Sequence, residues 1–223
     1  MNYEDLIKQA EIHFIAHEYP QAIEYATHAI EADPAGVDGY YWRASAFRRI
    51  WENDKAQADA DALLACTPHS ALHLAYRGYA YILKKEYEQA VTECTEALRQ
   101  DDSVKEAYHY RGWAYNNLKK FDDSIADYNK AIECDPKYAR AYNNRGVAYH
   151  NKGDYDRAID DFDKAIECNP KYADAYGNRG NAYSNMGGYA ALWKYAVLMT
   201  KKILKLLRIS NKCMLNIFRF PGT

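Results

Sequence analysis

Glycine and proline are scarce, 11 and 6 of 223 residues. Too few chain-breakers are present for a loop-rich β protein, so the composition favours helices. No apolar run reaches the length of roughly 18 residues that a membrane-spanning helix needs. The opening stretch MNYEDLIKQAEIHF carries acids and no unbroken apolar core, so it is not expected to act as a secretory signal. The five cysteines (Cys66, Cys94, Cys134, Cys168 and Cys213) are far apart and form no CxxC pair, which excludes a zinc ribbon or a dithiol redox motif. Reduced thiols in a cytoplasm are the expectation. HExxH and GxxxxGK[ST] are both missing, as are a nucleophile elbow and a paired-carboxylate site. His13 with His17, and His69 with His73, stand at i, i+4 without a third ligand nearby. The expectation is therefore no enzyme: no catalytic residue, no metal and no cofactor.

Acidic residues stop at Asp174, while eight basic residues follow it, the last being Arg219. The chain's net charge is −2, so the part up to and including Asp174 carries −10. An acidic body with a basic tail gives no general reason to expect nucleic-acid binding.

Tyrosine is abundant, with 22 copies, and much of it is periodic. Arg43, Arg77, Arg111, Arg145 and Arg179 recur at one constant spacing, and their surroundings recur with them. Within 139–172, Tyr142, Gly146 and Tyr149 lie at i, i+4 and i+7 on one face of a first helix. Gly153-Asp154 reads as a turn, with Asp154 able to cap a second helix marked by Tyr155, Ala158, Phe162 and Ala165. Asn169-Pro170 ends that helix. The small position of the first helix is held by Ala10, Ala44, Gly78, Gly112, Gly146 and Gly180, and an aromatic usually follows three residues later. The second helix has Ala22, Ala56, Ala90, Ser124 and Ala158 at its own close contact.

These positions resemble the tetratricopeptide repeat family. Six units fit: 3–36, 37–70, 71–104, 105–138, 139–172 and a degraded 173–206, with 207–223 as a basic C-terminal tail. His13 and Asn53 depart from the aromatic rows of the other units. The resemblance implies an all-α solenoid, a right-handed superhelix of helix–turn–helix repeats, whose first helices line a concave groove.

Each recurring arginine sits where an apolar residue would be expected. Asp59, Glu93, Asp127 and Asp161 recur with the same period on the second helices, which suggests a ladder of partly buried arginine–carboxylate pairs. An exposed basic stripe for phosphate or nucleic acid is the alternative.

A peptide ligand would meet the second, fifth, sixth and ninth residues of each first helix. Those positions give Tyr41, Trp42, Tyr76, Tyr79, His109, Tyr110 and Trp113 as apolar anchors. They also give Asn143, Asn144, Asn178 and Asn181 as amides for a peptide backbone. Some family members clamp a C-terminal carboxylate with lysine, asparagine and arginine; only Lys8 and Arg140 stand as isolated cations at such positions here, so that clamp is not recognisable. The rim residues Glu4, Asp38, Glu106 and Asp174 lean acidic and favour a ligand with some basic residues. The expected function is a protein–protein scaffold that binds a peptide or helix of a partner, with self-association through an exposed repeat end as a further contact.

Residues 191–220 form a basic amphipathic pattern, with Lys194, Lys201, Lys205, Arg208 and Lys212 on one stripe and Leu192, Ala196, Met199, Ile203 and Leu206 on another. Three uses are open: a cap on the repeat stack, a helix for a membrane surface or partner, or a segment folded back into the groove. The second of these makes the chain a membrane-peripheral adaptor.

Overall fold

The computed structural model describes residues 1–187. The basic amphipathic stretch, and the second helix expected in the last unit, lie outside them. Eleven α-helices and no strands occupy the described residues. They are α1 (Tyr3–Ile15), α2 (Tyr19–Ala32), α3 (Val37–Arg49), α4 (Asn53–Ala65), α5 (Ala71–Leu83) and α6 (Tyr87–Gln100). Then follow α7 (Lys105–Asn117), α8 (Phe121–Cys134), α9 (Ala139–Asn151), α10 (Tyr155–Cys168) and α11 (Ala173–Asn185). Each helix packs on its chain neighbours, and α1, α3, α5, α7, α9 and α11 also pack in series, as in a solenoid of helical hairpins.

The two helices of a hairpin approach closely because small residues face each other. Ala10, Ala44, Ala22, Ala56, Ala90, Ser124 and Ala158 are all buried. At Gly146 an added Cβ would lie 2.7 Å from Phe162 Cε1, so the α9–α10 contact admits no side chain there. Phe162, itself fully buried, contributes about 1.5–3 kcal/mol by leaving water.

The turns repeat as faithfully as the helices. A left-handed residue follows the first helix of every hairpin: His17, Trp51, Lys85, Lys119, Gly153 and Gly187 all have φ between 60° and 86°. As the sequence suggested, Asp154 caps α10 by accepting from the Arg157 backbone N–H. Between hairpins, Asp33, Asp101, Asp135 and Asn169 each accept from the backbone N–H two residues on, closing an Asx turn.

The arginines do face carboxylates. Arg111 Nε and Nη2 donate to the two oxygens of Asp127, each at 2.8 Å. Arg145 grips Asp161 in the same way at 2.7 and 2.6 Å, and Arg43–Asp59 and Arg77–Glu93 are further rungs. Each arginine also reaches back to the preceding hairpin. Nη1 bonds Thr27 Oγ1 from Arg43, Thr95 Oγ1 from Arg111 and Asn129 Oδ1 from Arg145; from Arg77 it bonds the Leu64 and Cys66 carbonyls. The guanidinium therefore ties two successive second helices together. Among the described residues Arg179 makes the backward contact alone, to Asp163, because its own rung would fall beyond Asp174, where the chain has no acid. Tyr40, Tyr108, Tyr142 and Tyr176, three residues before an arginine, lie 5.5–5.9 Å from its guanidinium carbon.

Candidate functional site

The expected anchors lie on α3, α5, α7, α9 and α11, and most are not exposed. Tyr41, Trp42, Tyr76, Tyr79, His109, Tyr110 and Asn143 are buried. Trp113, Asn144 and Asn178 are half-buried, and Asn181 is exposed. The reason is packing across the concave surface. Tyr41 stacks on Tyr76 at 3.6 Å between ring centroids, and Tyr79 meets Tyr110 at 5.1 Å. The hydroxyls of Tyr41 and Tyr110 share a 2.6 Å hydrogen bond although they belong to α3 and α7. Trp42 turns toward the first hairpin and meets Phe14 at 5.4 Å. Aromatics spaced along the stack thus fill the hollow that their spacing alone left open.

The second and sixth units also touch through side chains. Arg49 at the end of α3 bonds Asp174 at the start of α11 at 2.7 Å, and its guanidinium carbon lies 5.8 Å from the Tyr172 ring centroid. Two of the expected acidic rim residues are therefore engaged: Asp174 by Arg49, and Asp38 by the Tyr3 hydroxyl and His73.

The asparagines form a directed relay. Asn178 Nδ2 donates to Asn143 Oδ1 at 3.0 Å, and Asn143 Nδ2 donates to Asn144 Oδ1 at 3.1 Å. Asn144 Nδ2 then meets His109 Nε2 at 2.9 Å. Since an amide N–H can only donate, His109 Nε2 accepts and its proton sits on Nδ1. Burial holds this imidazole well below its ordinary value, and the cations Arg140 and Arg48 push in the same direction. His109 is therefore a neutral donor at neutral pH.

Two further residues stand among these side chains, one noted in the sequence only as an isolated cation and one not singled out there. Arg140, noted only as an isolated cation, exerts its charge on Tyr41, Tyr110, Tyr138 and Tyr172 together. Tyr138, the residue before α9, is buried with its ring 5.2 Å from His109 and 5.4 Å from the Arg140 guanidinium carbon. Tyr138 recurs one unit on as Tyr172, but both precede their helix rather than lying on its inner stripe, so the stripe did not single them out. Arg48 covers Trp113, with its guanidinium carbon 4.4 Å from the ring.

Models of the tetratricopeptide repeat match residues 52–105, 139–172 and 162–191, and one of the TPR repeat matches 112–153. Among solved structures, TTC0263, a thermophilic TPR protein of Thermus thermophilus, is similar with a TM-score of 0.65 and 19% identity, covering 81% of this chain and 98% of that one. The first TPR domain of human RPAP3 gives 0.52 at 27% identity, over 54% of this chain and 94% of that domain. The first TPR of Spaghetti (RPAP3), bound to the HSP90 peptide SRMEEVD, gives 0.51 at 24% identity, over 55% and 97%. No curated protein sequence matches. The repeat models span most of the stretch over which the hairpins recur at constant spacing, and the chain belongs to the tetratricopeptide repeat family.

Proposed function

We propose that this protein is an interaction scaffold that holds a peptide or helical segment of a partner protein against the inner face of α7, α9 and α11. The observation that carries this reading is the amide and aromatic row along that face. Trp113, Asn144, Asn178 and Asn181 retain accessible surface there, one helix after another. Tryptophan supplies apolar contact at low conformational cost, and amides can meet both donors and acceptors of a backbone. Tyr79 packs beside Trp113 at 6.1 Å between ring centroids, and Tyr41 and Tyr110 pack on Tyr79. A similar fold has this use: the Spaghetti domain was solved with its HSP90 peptide.

The test is a peptide array screened with the full chain, followed by titration of hits through tryptophan fluorescence. Binding that is lost in Trp113→Ala and Asn178→Ala supports the inner face as the working surface. Hits that survive both substitutions place binding elsewhere. Flotation of the protein with anionic liposomes, with no peptide bound, favours the membrane-peripheral alternative through the basic C-terminal stretch.

A further inference from the structure

We infer that two copies of this chain associate through the outer face of α1, in an antiparallel contact held by Ile12 and Ile15 and set in register by Lys8 and Glu11. This goes beyond the scaffold reading and does not depend on it.

Lys8, Glu11, Ile12 and Ile15 stand at i, i+3, i+4 and i+7, so they share one face of α1. One unit on, the same positions of α3 hold Trp42, Ser45, Ala46 and Arg49. There the preceding hairpin covers the face. Trp42, Ser45 and Ala46 are buried, Trp42 meets Phe14 of α1 at 5.4 Å, and Arg49 bonds Tyr19 of α2 at 3.3 Å. No described hairpin precedes α1, so its equivalent face is open. Ile12 is 47% exposed and Ile15 66%, and Lys8 and Glu11 are exposed beside them.

An end face that a repeat array leaves to water is ordinarily polar. Here two of its four positions are isoleucine. No other helix among the described residues exposes two large apolar side chains. Leaving both in water forgoes the gain of burying them, which a covering partner recovers.

Charge selects that partner. Neither Lys8 nor Glu11 makes an ion pair with a described residue. A basic ligand would set like charge against Lys8, as would the basic stripe of the chain's own C-terminal stretch; an acidic ligand would do the same to Glu11. A second copy answers both. A two-fold axis crossing α1 between Gln9 and Ala10 sets Lys8 of each copy opposite Glu11 of the other. The same register sets Ile12 opposite the half-buried Ile7, and Ile15 opposite Glu4, one turn from the exposed Met1. One pair of helices buries less than the roughly 1,200 Å² of a stable interface, so the dimer is weak, with a Kd on the order of 10–100 µM.

Sedimentation of the full chain at rising concentration tests this. The expected result is a mass that climbs from monomer toward dimer between about 1 and 500 µM. Ile12→Asp and Ile15→Asp should each weaken association by about tenfold or more. Both positions are exposed, so their thermal melts should match the parent. The charge pair gives a second, independent readout. Lys8→Glu and Glu11→Lys each leave like charges at both positions, so neither variant should self-associate. An equimolar mixture of the two pairs opposite charges throughout and should associate as the parent does. A parent that stays monomeric over the whole range overturns the proposal. So does a mixture that associates no better than either variant alone. Association that survives all four substitutions is carried elsewhere and overturns it too; its loss in Trp51→Ala would then assign the contact to the turn after α3, where that indole is 85% exposed.

Discussion

The hydroxyl of Tyr41 lies 2.6 Å from that of Tyr110, 69 residues further along the chain, and both side chains are fully buried. The contact exists only because the arc of hairpins brings side chains of α3 and α7 together beside Tyr79 of α5. Removing one hydroxyl leaves the other buried and unmet, so Tyr41→Phe should cost about 1–3 kcal/mol in unfolding free energy. Tyr41→Phe with Tyr110→Phe should cost less than the sum of the two single changes. Denaturant titration of the four species checks this; strict additivity would refute the coupling.

Arg111→Leu should be among the most damaging single changes. It strands the carboxylate of Asp127, whose side chain is only 8% exposed, and unties two hairpins at once. The expected loss is about 3–5 kcal/mol. Replacing Asp127 by Leu in the same chain should restore most of it, because the stranded charge is then gone. A double-mutant cycle without coupling energy would count against the pairing.

Arg49 and Asp174 close the arc, but half of the Asp174 side chain is in water. Asp174→Lys should therefore change stability by no more than about 1 kcal/mol. Its effect should be on shape. Spin labels placed on α4 and α10 should report a longer or broader distance distribution than in the parent, and an unchanged distribution would mean that the pair does not hold these units together.

His109 makes stability depend on pH. Its native value is depressed below the ordinary 6.5, so between the two values the unfolded chain binds a proton that the native chain does not. Its contribution is present in full above about pH 6.5 and is lost as pH falls through the native value, at about 1.4 kcal/mol per unit of depression. His109→Gln should flatten the stability profile on the acid side of pH 6.5 relative to the parent. Parallel profiles for the two proteins would show that the imidazole does not titrate in this way.

The left-handed turn position offers the simplest substitution. Lys119 holds φ 60° where Gly153 holds φ 86° in the next hairpin. A side chain in that conformation costs about 1–2 kcal/mol, part of which glycine loses again through its freer unfolded state. Lys119→Gly should raise stability by up to about 1 kcal/mol, and Gly153→Ala should lower it by a similar amount. Thermal melts of the two variants check both signs.

Most of the fold was legible because its determinants are local and repeated. Gly146 against Phe162, Asp154 at the start of α10 and Asn169 at its end each act within one hairpin, and the constant period repeats them until they are unmistakable. The arginine rungs were legible for the same reason, since Arg111 and Asp127 stand 16 residues apart within one repeat. The second bond of each arginine, back to the preceding hairpin, was not, because Thr95 and Asn129 carry no charge to match. The turn was legible only where glycine marks it; Trp51 adopts the same conformation at φ 65° without that signal.

The sequence by itself determined the hairpins, their spacing and the side chains that recur on each helix. Only the tertiary structure decided what those side chains meet. Curvature accumulates from small rotations between hairpins, and no residue pattern states its sum. That sum closes Tyr41 onto Tyr110 and Arg49 onto Asp174, burying aromatics that an open arc would present to solvent. It also leaves His109 Nδ1 and the Tyr138 hydroxyl buried without a hydrogen-bond partner among the described residues.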